Sequence, residues 1–453
     1  MIAKLVQTAL RGMIEANRAI CRIPIARNVM KGAMKSGEVV IPFEPHIPAN
    51  ADGVCVYINV PFCRSKCTYC YLNTSIYTEE RAKPYVEAVK REISLYKAKL
   101  GDIELGDVYF RGGTPSILWE GVIDILDHLR SNFKIVGEIG VKVYPGDVNE
   151  EMCDALLDAG VSRVNIGVQS FDDDLLKGMN KRYDGDTAIK AIELLVDKGF
   201  YTTTKLLIGC PGQTVSSVSS DLKKVIETDL QQIYTLPLLI LPNTAWGVQL
   251  AKGKIEFPPA REVVEMWRTT FDLLLSNGYE TRAALYFKNK KALGEREYLT
   301  GHGHPFVIGM GVETESTVPP TLTGYANTFS FEEYIKAVNE DRFPVMMGVS
   351  ILNQRQLENI YRLAGFLLRI DRKDVERRLN VLMDPNLYTD LRIDKEEFEE
   401  RTGAKTEEVL GNLSFLLSLF LFPLKALRII EEDSEKIKIN TDVINGIIAQ
   451  ILS

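Results

Sequence analysis

Cys63, Cys67 and Cys70 stand in the run VYINVPFCRSKCTYCYLN, three thiols at a CxxxCxxC spacing directly after a β-rich stretch. They fall where a strand ends and a loop begins, close enough together to hold one compact inorganic cluster. Cysteine thiolates are the usual ligands of iron–sulfur clusters, and an all-cysteine cubane takes four of them. Three leave one iron with an open coordination position, and an open position on a metal is where chemistry is done. A structural zinc site wants a fourth protein ligand, and His46 and His128 lie well away along the chain. A [4Fe-4S] cluster is the expectation.

Further runs follow in order. Arg111-Gly112-Gly113-Thr114-Pro115-Ser116 carries two adjacent glycines, which let a backbone approach a ligand closely with its N–H and C=O groups available. Gly167-Val168-Gln169-Ser170-Phe171 sets a glutamine amide, donor and acceptor at once, at a strand end. Met179-Asn180-Lys181-Arg182 holds two adjacent cations, and Ile208-Gly209-Cys210-Pro211-Gly212-Gln213-Thr214 is a glycine-bearing turn. The cysteine run with Tyr57 and PFC, then GGTPS, GVQSF and CPGQT, resembles the radical S-adenosylmethionine (SAM) superfamily. More narrowly it is similar to the oxygen-independent coproporphyrinogen III oxidase-like branch. The likeness runs from residue 54 to the end and loosens beyond residue 290.

The resemblance implies that the open iron binds the amino and carboxylate groups of SAM, and that one electron cleaves the sulfonium to methionine and a 5′-deoxyadenosyl radical. It sets Gly112, Gly113, Thr114, Glu138, Gln169 and either Lys181 or Arg182 against SAM, and Tyr57 beside the cluster as a catalytic side chain. One SAM is implied, and a second if the reaction is methyl transfer. A flavodoxin or ferredoxin is the electron donor that the family implies.

These residues need a frame. From residue 54 short β-like runs alternate with amphipathic helical ones, the pattern of a parallel α/β sheet. The expected strands are Val54–Val60, Asp107–Phe110, Glu138–Val143, Arg163–Val168, Tyr201–Ile208 and Ile233–Ile240. The expected helices are Glu79–Lys99, Pro115–Ser131, Asn149–Ala159, Asp173–Lys198 and Thr214–Thr228. Six such units predict an α/β fold, an incomplete (β/α)6 radical SAM barrel, with its site at the C-terminal ends of the strands. Flanking it are an N-terminal helical extension (residues 1–50) and a small, mainly helical C-terminal cap domain (residues 346–453); the barrel with its closing segment spans 51–345.

The 453 residues, 45% apolar, suffice for a large core. A net charge of −7 speaks against nucleic acid as partner. Cys21, Cys55, Cys153 and Cys210 are scattered, as in a reducing cytoplasm rather than a disulfide scaffold. Residues 1–36 are basic, with apolar positions at near-helical spacing. Their charges are interspersed and not segregated, so a helix packed on the main domain is expected ahead of membrane contact. The apolar stretch Leu413 to Phe422 is too short to span a bilayer.

The chain also departs from the branch. The family's ExxxExNPG reads Glu138-Ile139-Gly140-Val141-Lys142-Val143-Tyr144-Pro145-Gly146, and the aspartate of its DLIYGLP is Lys205. Two acids have become lysines, which pair with nearby carboxylates such as Glu138 or bind an anionic substrate group. Leu72 stands where the true decarboxylases have a further cysteine. The HNxxYW haem motif of the branch's haem chaperone is replaced by Thr300-Gly301-His302-Gly303-His304-Pro305-Phe306. The expectation is an enzyme, a radical SAM oxidoreductase or a methyltransferase, acting on a tetrapyrrole-like or other conjugated, anionic small molecule. The alternative is a haem-binding chaperone without turnover.

Overall fold

The computed structural model describes residues 14, 15, 17, 18, 54–281, 286–291, 307–318, 323–350, 392–403, 405, 430–432 and 436–439. Six strands arise from the alternating runs: β1 Val54–Val60, β2 Glu104–Gly112, β3 Ile139–Val143, β4 Arg163–Gln169, β5 Tyr201–Ile208 and β6 Gln232–Pro237. They lie side by side in chain order, every neighbouring pair parallel. Between them run α1 Glu79–Leu100, α2 Trp119–Asn132, α3 Glu150–Asp158, α4 Asp173–Gly178, α5 Gly185–Asp197 and α6 Val215–Glu227. The six-unit α/β architecture expected from the sequence is present.

Later strands extend this sheet at both edges. They are β7 Tyr279–Thr281, β8 Tyr286–Asn289, β9 Val307–Met310, β10 Glu315–Val318, β11 Thr323–Asn327 and β12 Val345–Ser350. The sheet order is β7-β8-β6-β5-β4-β3-β2-β1-β9-β10-β11-β12. Here β9 joins β1 in parallel, while β7, β8, β10, β11 and β12 pair antiparallel. The glycine-rich stretch from Ile308 to Ser316 thus lies along β9 and β10, next to the strand that leads into the cysteine loop.

Strand alternation separates two faces. Val54, Val56, Ile58 and Val60 of β1, Val108 and Phe110 of β2, and Val141 and Val143 of β3 join the large core with the helices. The intervening Cys55, Tyr57 and Tyr109 form a separate small cluster with Val307 on the inner face. Lys142 falls between Val141 and Val143, and so belongs to that inner face. Phe62, wholly buried just before Cys63, meets the rings of Tyr77, Tyr85 and Phe331 edge-on at 6.2, 5.5 and 5.9 Å. The root of the cysteine loop is thereby fixed to α1.

One helix expectation is corrected. Asp173–Lys198 is not one helix: α4 ends at Gly178 and α5 starts at Gly185, with Asp184 capping it by accepting from Thr187 N at 2.8 Å. Asn180, at φ +61°, turns the chain between them, a conformation that asparagine tolerates better than most residues. In the C-terminal region the described residues include helix Lys395–Thr402 and a three-stranded antiparallel sheet of Arg392–Asp394, Lys436–Ile439 and Ile430–Glu432, which apolar periodicity did not reveal. The Leu413 to Phe422 stretch, His302, His304 and most of residues 1–50 lie outside the described residues.

What is described of the N-terminal extension is docked. Ile14 is buried in the main core, Asn17 exchanges two hydrogen bonds with the Ile240 backbone (3.0 and 2.9 Å), and Arg18 donates to Pro258 O at 2.6 Å. Among the described residues no helix is long and apolar enough to cross a membrane.

Candidate functional site

The cysteine loop is a built structure. Its base is tied by Tyr77 N donating to Cys63 O (3.0 Å) and Ser75 N to Pro61 O (2.7 Å), and its tip is turned by Cys70 N donating to Cys67 O at 3.1 Å. One flank rests on the break between α4 and α5: Ser65 Oγ donates to Asn180 O, Asn180 Nδ2 to Lys66 O, and Thr68 Oγ1 to Gly178 O, at 2.9–3.1 Å. On the other flank Arg64 Nε meets Asp147 Oδ1 at 2.6 Å, and the second oxygen of that buried carboxylate accepts from Ser116 Oγ at 2.8 Å. Asn73, just beyond the loop, donates from its backbone N to Glu313 Oε2 at 3.0 Å. Four segments far apart in sequence hold three thiols in place.

The three cysteines are half-buried and form no disulfide. Burial pushes the Cys70 thiol up, with the positive charge of Lys142 opposing. Among the described residues no three His, Cys, Asp or Glu side chains gather round a single ion. A cubane, whose thiolates bind different irons, does not need them to.

The double-glycine loop lies directly against this one. Gly113 N donates to Val60 O at 2.8 Å and Thr114 N to Phe62 O at 2.7 Å, and Thr114 Oγ1 sits 3.6 Å from Cys63 Sγ. A Cβ on Gly113 would lie 2.4 Å from Phe62 O and 3.0 Å from Cys63 Sγ. Gly112 has φ +104° and would drive a Cβ into Asn59, so both positions require glycine. The Gly112 carbonyl accepts from Lys142 Nζ at 2.9 Å.

Gln169 ends β4 at φ +72°, a left-handed conformation that costs a side-chain-bearing residue about 1–2 kcal/mol. It is buried, and its Oε1 has no hydrogen-bond partner. Strain and an orphaned acceptor thus coincide at one residue at the C-terminal end of a barrel strand. Asp221 helps hold it by accepting from Ser170 Oγ (2.6 Å) and Phe171 N (2.9 Å), and burial raises its carboxyl to about 6.

The two adjacent cations separate. The Arg182 side chain is exposed, and only its backbone N is engaged, donating to Tyr144 Oη at 2.8 Å. Lys181 Nζ lies 5.6, 5.8 and 5.9 Å from the rings of Tyr69, Tyr144 and Tyr183, a three-sided aromatic cage. Tyr69 comes from between Cys67 and Cys70, so the cage aims Lys181 at the cysteine loop.

Glu138 is corrected. It precedes β3, four residues and about 13 Å below Lys142 along the strand, and its carboxylate pairs with buried Arg163. The structure does not bring it to the cysteines. Nor does it neutralise Lys142, and among the described residues neither Lys142 nor Lys205 has an ion pair. Burial pushes the Lys205 amine down to about 8, with repulsion from Lys142 adding to it, and Lys205 Nζ stands 4.8 Å from the ring of Tyr234. Tyr57 is buried on the inner face, 5.6 Å from the Tyr109 ring, with the Arg111 guanidinium 4.2 Å from its own.

Several supporting residues were not evident in sequence. Asp147, Tyr69, Tyr144, Tyr183 and Glu313 act across long separations, and no local pattern announces them. Glu92 is fully buried on α1, accepting from Gly311 N (2.7 Å), Tyr334 Oη (2.6 Å) and Asn327 Nδ2 (2.9 Å). It pins the glycine-rich stretch whose Glu313 reaches Asn73. A charged residue in the middle of an amphipathic helix gives no hint of this.

The frame has known counterparts. The sequence model of the radical SAM superfamily matches residues 57–225. The chain is 25% identical over 307 residues to heme chaperone HemW of Bacillus subtilis, covering 67% of this chain and 80% of that one. It is 30% identical over 230 residues to anaerobilin synthase of Escherichia coli O157:H7, covering 49% and 52%. The structure of coproporphyrinogen III oxidase (HemN) from Escherichia coli superposes with TM-score 0.69 at 20% identity, covering 89% of this chain and 90% of that one.

Proposed function

We propose, from the premise that this chain belongs to the radical SAM superfamily in its coproporphyrinogen III oxidase-like branch, that it is an enzyme acting on an anionic, tetrapyrrole-related small molecule. The observation that carries the reading is the docking of the double-glycine loop onto Cys63, with Gln169 strained and unsatisfied at the end of β4, two strands away. When bound, a [4Fe-4S] cluster and SAM supply a 5′-deoxyadenosyl radical, the difficult step that side chains alone do not perform.

The chain's own residues bind and orient. Cys63, Cys67 and Cys70 hold the cluster. Gly112 and Gly113 let a ligand approach the loop backbone at a distance no side chain permits, and Thr114 closes that loop on Cys63. The Gln169 amide receives a hydroxyl or amine from SAM, and caged Lys181, not exposed Arg182, receives its carboxylate. Tyr57 forms the aromatic floor with Tyr109 beneath Arg111. The positive charge that Lys142 and Lys205 add to the inner face suits a carboxylate-bearing substrate, with Lys205 its point of contact. In our reading residues 51–345 form the catalytic barrel, 346–453 a cap that excludes water and oxygen, and 1–50 a docked extension. A cytoplasmic, low-potential flavodoxin or ferredoxin serves as donor.

A second reading, haem chaperoning without turnover, is favoured by the likeness to a protein named as a heme chaperone. The two part in one experiment. Protein reconstituted without oxygen is incubated with SAM, dithionite and either coproporphyrinogen III or haem, and products are read by mass. Release of 5′-deoxyadenosine with a mass change in the tetrapyrrole is expected, and S-adenosylhomocysteine beside it identifies methyl transfer. Stable haem binding with no 5′-deoxyadenosine overturns the enzymatic reading in favour of the chaperone.

A further inference from the structure

We propose that the two inner-face lysines have different tasks: Lys142 is a positioning residue that serves the cluster by raising its reduction potential, and Lys205 has no part in this. The inference rests on the reading of Cys63, Cys67 and Cys70 as cluster ligands.

Lys142 spends a hydrogen bond on the glycine loop, Nζ to Gly112 O at 2.9 Å. The next residue along that loop, Gly113, abuts Cys63 Sγ so closely that a Cβ there would stand 3.0 Å from the sulfur. The residue after it, Thr114, places its hydroxyl 3.6 Å from the same sulfur. The ammonium is therefore one short backbone segment from a cluster ligand. The groups that face it electrostatically are Cys63, Cys70 and Cys67 from the loop and Lys181 from the break after α4, and Lys205 faces it from β5. Among the described residues no carboxylate makes an ion pair with it. Lys205 shares the lack of an ion pair among the described residues but differs in its surroundings. It stands one strand beyond β4, faces the ring of Tyr234, and its charged neighbour is Lys142 rather than any cysteine.

Reduction adds one negative charge to a cluster. A cation fixed nearby in a half-buried setting stabilises the reduced form more than the oxidised one, and the potential rises. The branch writes an acid at this strand position, which acts in the opposite sense. Replacing it with lysine inverts the local charge where an electron must arrive.

The test uses full-length protein reconstituted anaerobically without SAM or substrate, iron and sulfide being assayed first, and the cluster potential read by redox titration with electron paramagnetic resonance. Lys142→Met is expected to shift the midpoint to a more negative value, and Lys142→Glu further in the same direction. Lys142→Arg and Lys205→Met are expected to stay at the wild-type midpoint. Should Lys142→Met disturb the loop, Lys142→Gln against Lys142→Arg makes the same comparison with a hydrogen-bond donor at both. A wild-type midpoint in Met, Gln and Glu variants overturns the proposal, as does an equal shift in Lys205→Met. Wild-type protein that takes up no cluster instead overturns the proposed function, and the two failures are distinct.

Discussion

The two ends of the barrel strands are built on opposite principles. At the start of β3 and β4 charge is balanced: Glu138 pairs with Arg163, and Asp107 accepts from Glu138 N at 2.8 Å. Toward the other end Lys142, Lys181 and Lys205 are without ion pairs among the described residues, Gln169 is strained with an orphaned oxygen, and two glycines hold a backbone open. The first end pairs its charges within the chain, and the second holds the groups that we propose for ligands. Self-satisfied polar groups report stability, and unsatisfied ones report function.

Substitutions at the two ends should therefore behave differently. The largest effect is expected from Cys63→Ala: loss of cluster iron and of all 5′-deoxyadenosine formation, with circular dichroism unchanged, because among the described residues the thiol receives only the long contact from Thr114 Oγ1 at 3.6 Å. Retained turnover would break the contrast outright. At the balanced end, Arg163→Met strands Glu138 and is expected to lower stability in urea by about 2–3 kcal/mol, less than a wholly buried pair because Glu138 is partly exposed. Activity per folded molecule should stay near wild type.

Lys205→Met is expected to do the reverse, stabilising the fold while weakening substrate binding. Its amine sits at about 8 in the folded chain against 10.5 unfolded. As pH falls from 10.5 to 8 the unfolded chain takes up the proton first, so wild type loses stability over that window and carries the penalty below it. The gain from Met is thus at most about 3 kcal/mol near pH 7 and fades toward pH 10.5; urea titrations at pH 7 and 10 measure it. Gly113→Ala sets a Cβ against Phe62 O, so the loop must shift, and SAM binding is expected to weaken by at least about tenfold, near 1.4 kcal/mol, by equilibrium dialysis of the reconstituted protein. An unchanged affinity would mean that the glycine serves only the turn.

Legibility followed the range of the interactions. Val54–Val60 and Tyr201–Ile208 were readable to the residue because buried parallel strands are predominantly apolar or β-branched runs between turns, here interrupted only by Asn59 and Lys205. The Asp173–Lys198 segment misled, since both halves share one helical period and Gly178 and Gly185, which bound the break, read as tolerated glycines inside one helix. Glu138 misled for a different reason: a motif states which residue types recur, not which end of a strand each occupies.

Strand alternation, glycine pairs and cysteine spacing are local, set by a few neighbouring residues and the backbone's own sterics, so the chain alone determined the barrel units, the loop with three thiols and the lysines in place of acids. The tyrosine cage around Lys181, the Arg64–Asp147–Ser116 brace, and the distance that separates Lys142 from Glu138 and joins it to Gly112 were decided only when strands from positions 54 to 237 lay side by side. Pairing across such separations depends on the whole packed sheet, and no single segment carries it.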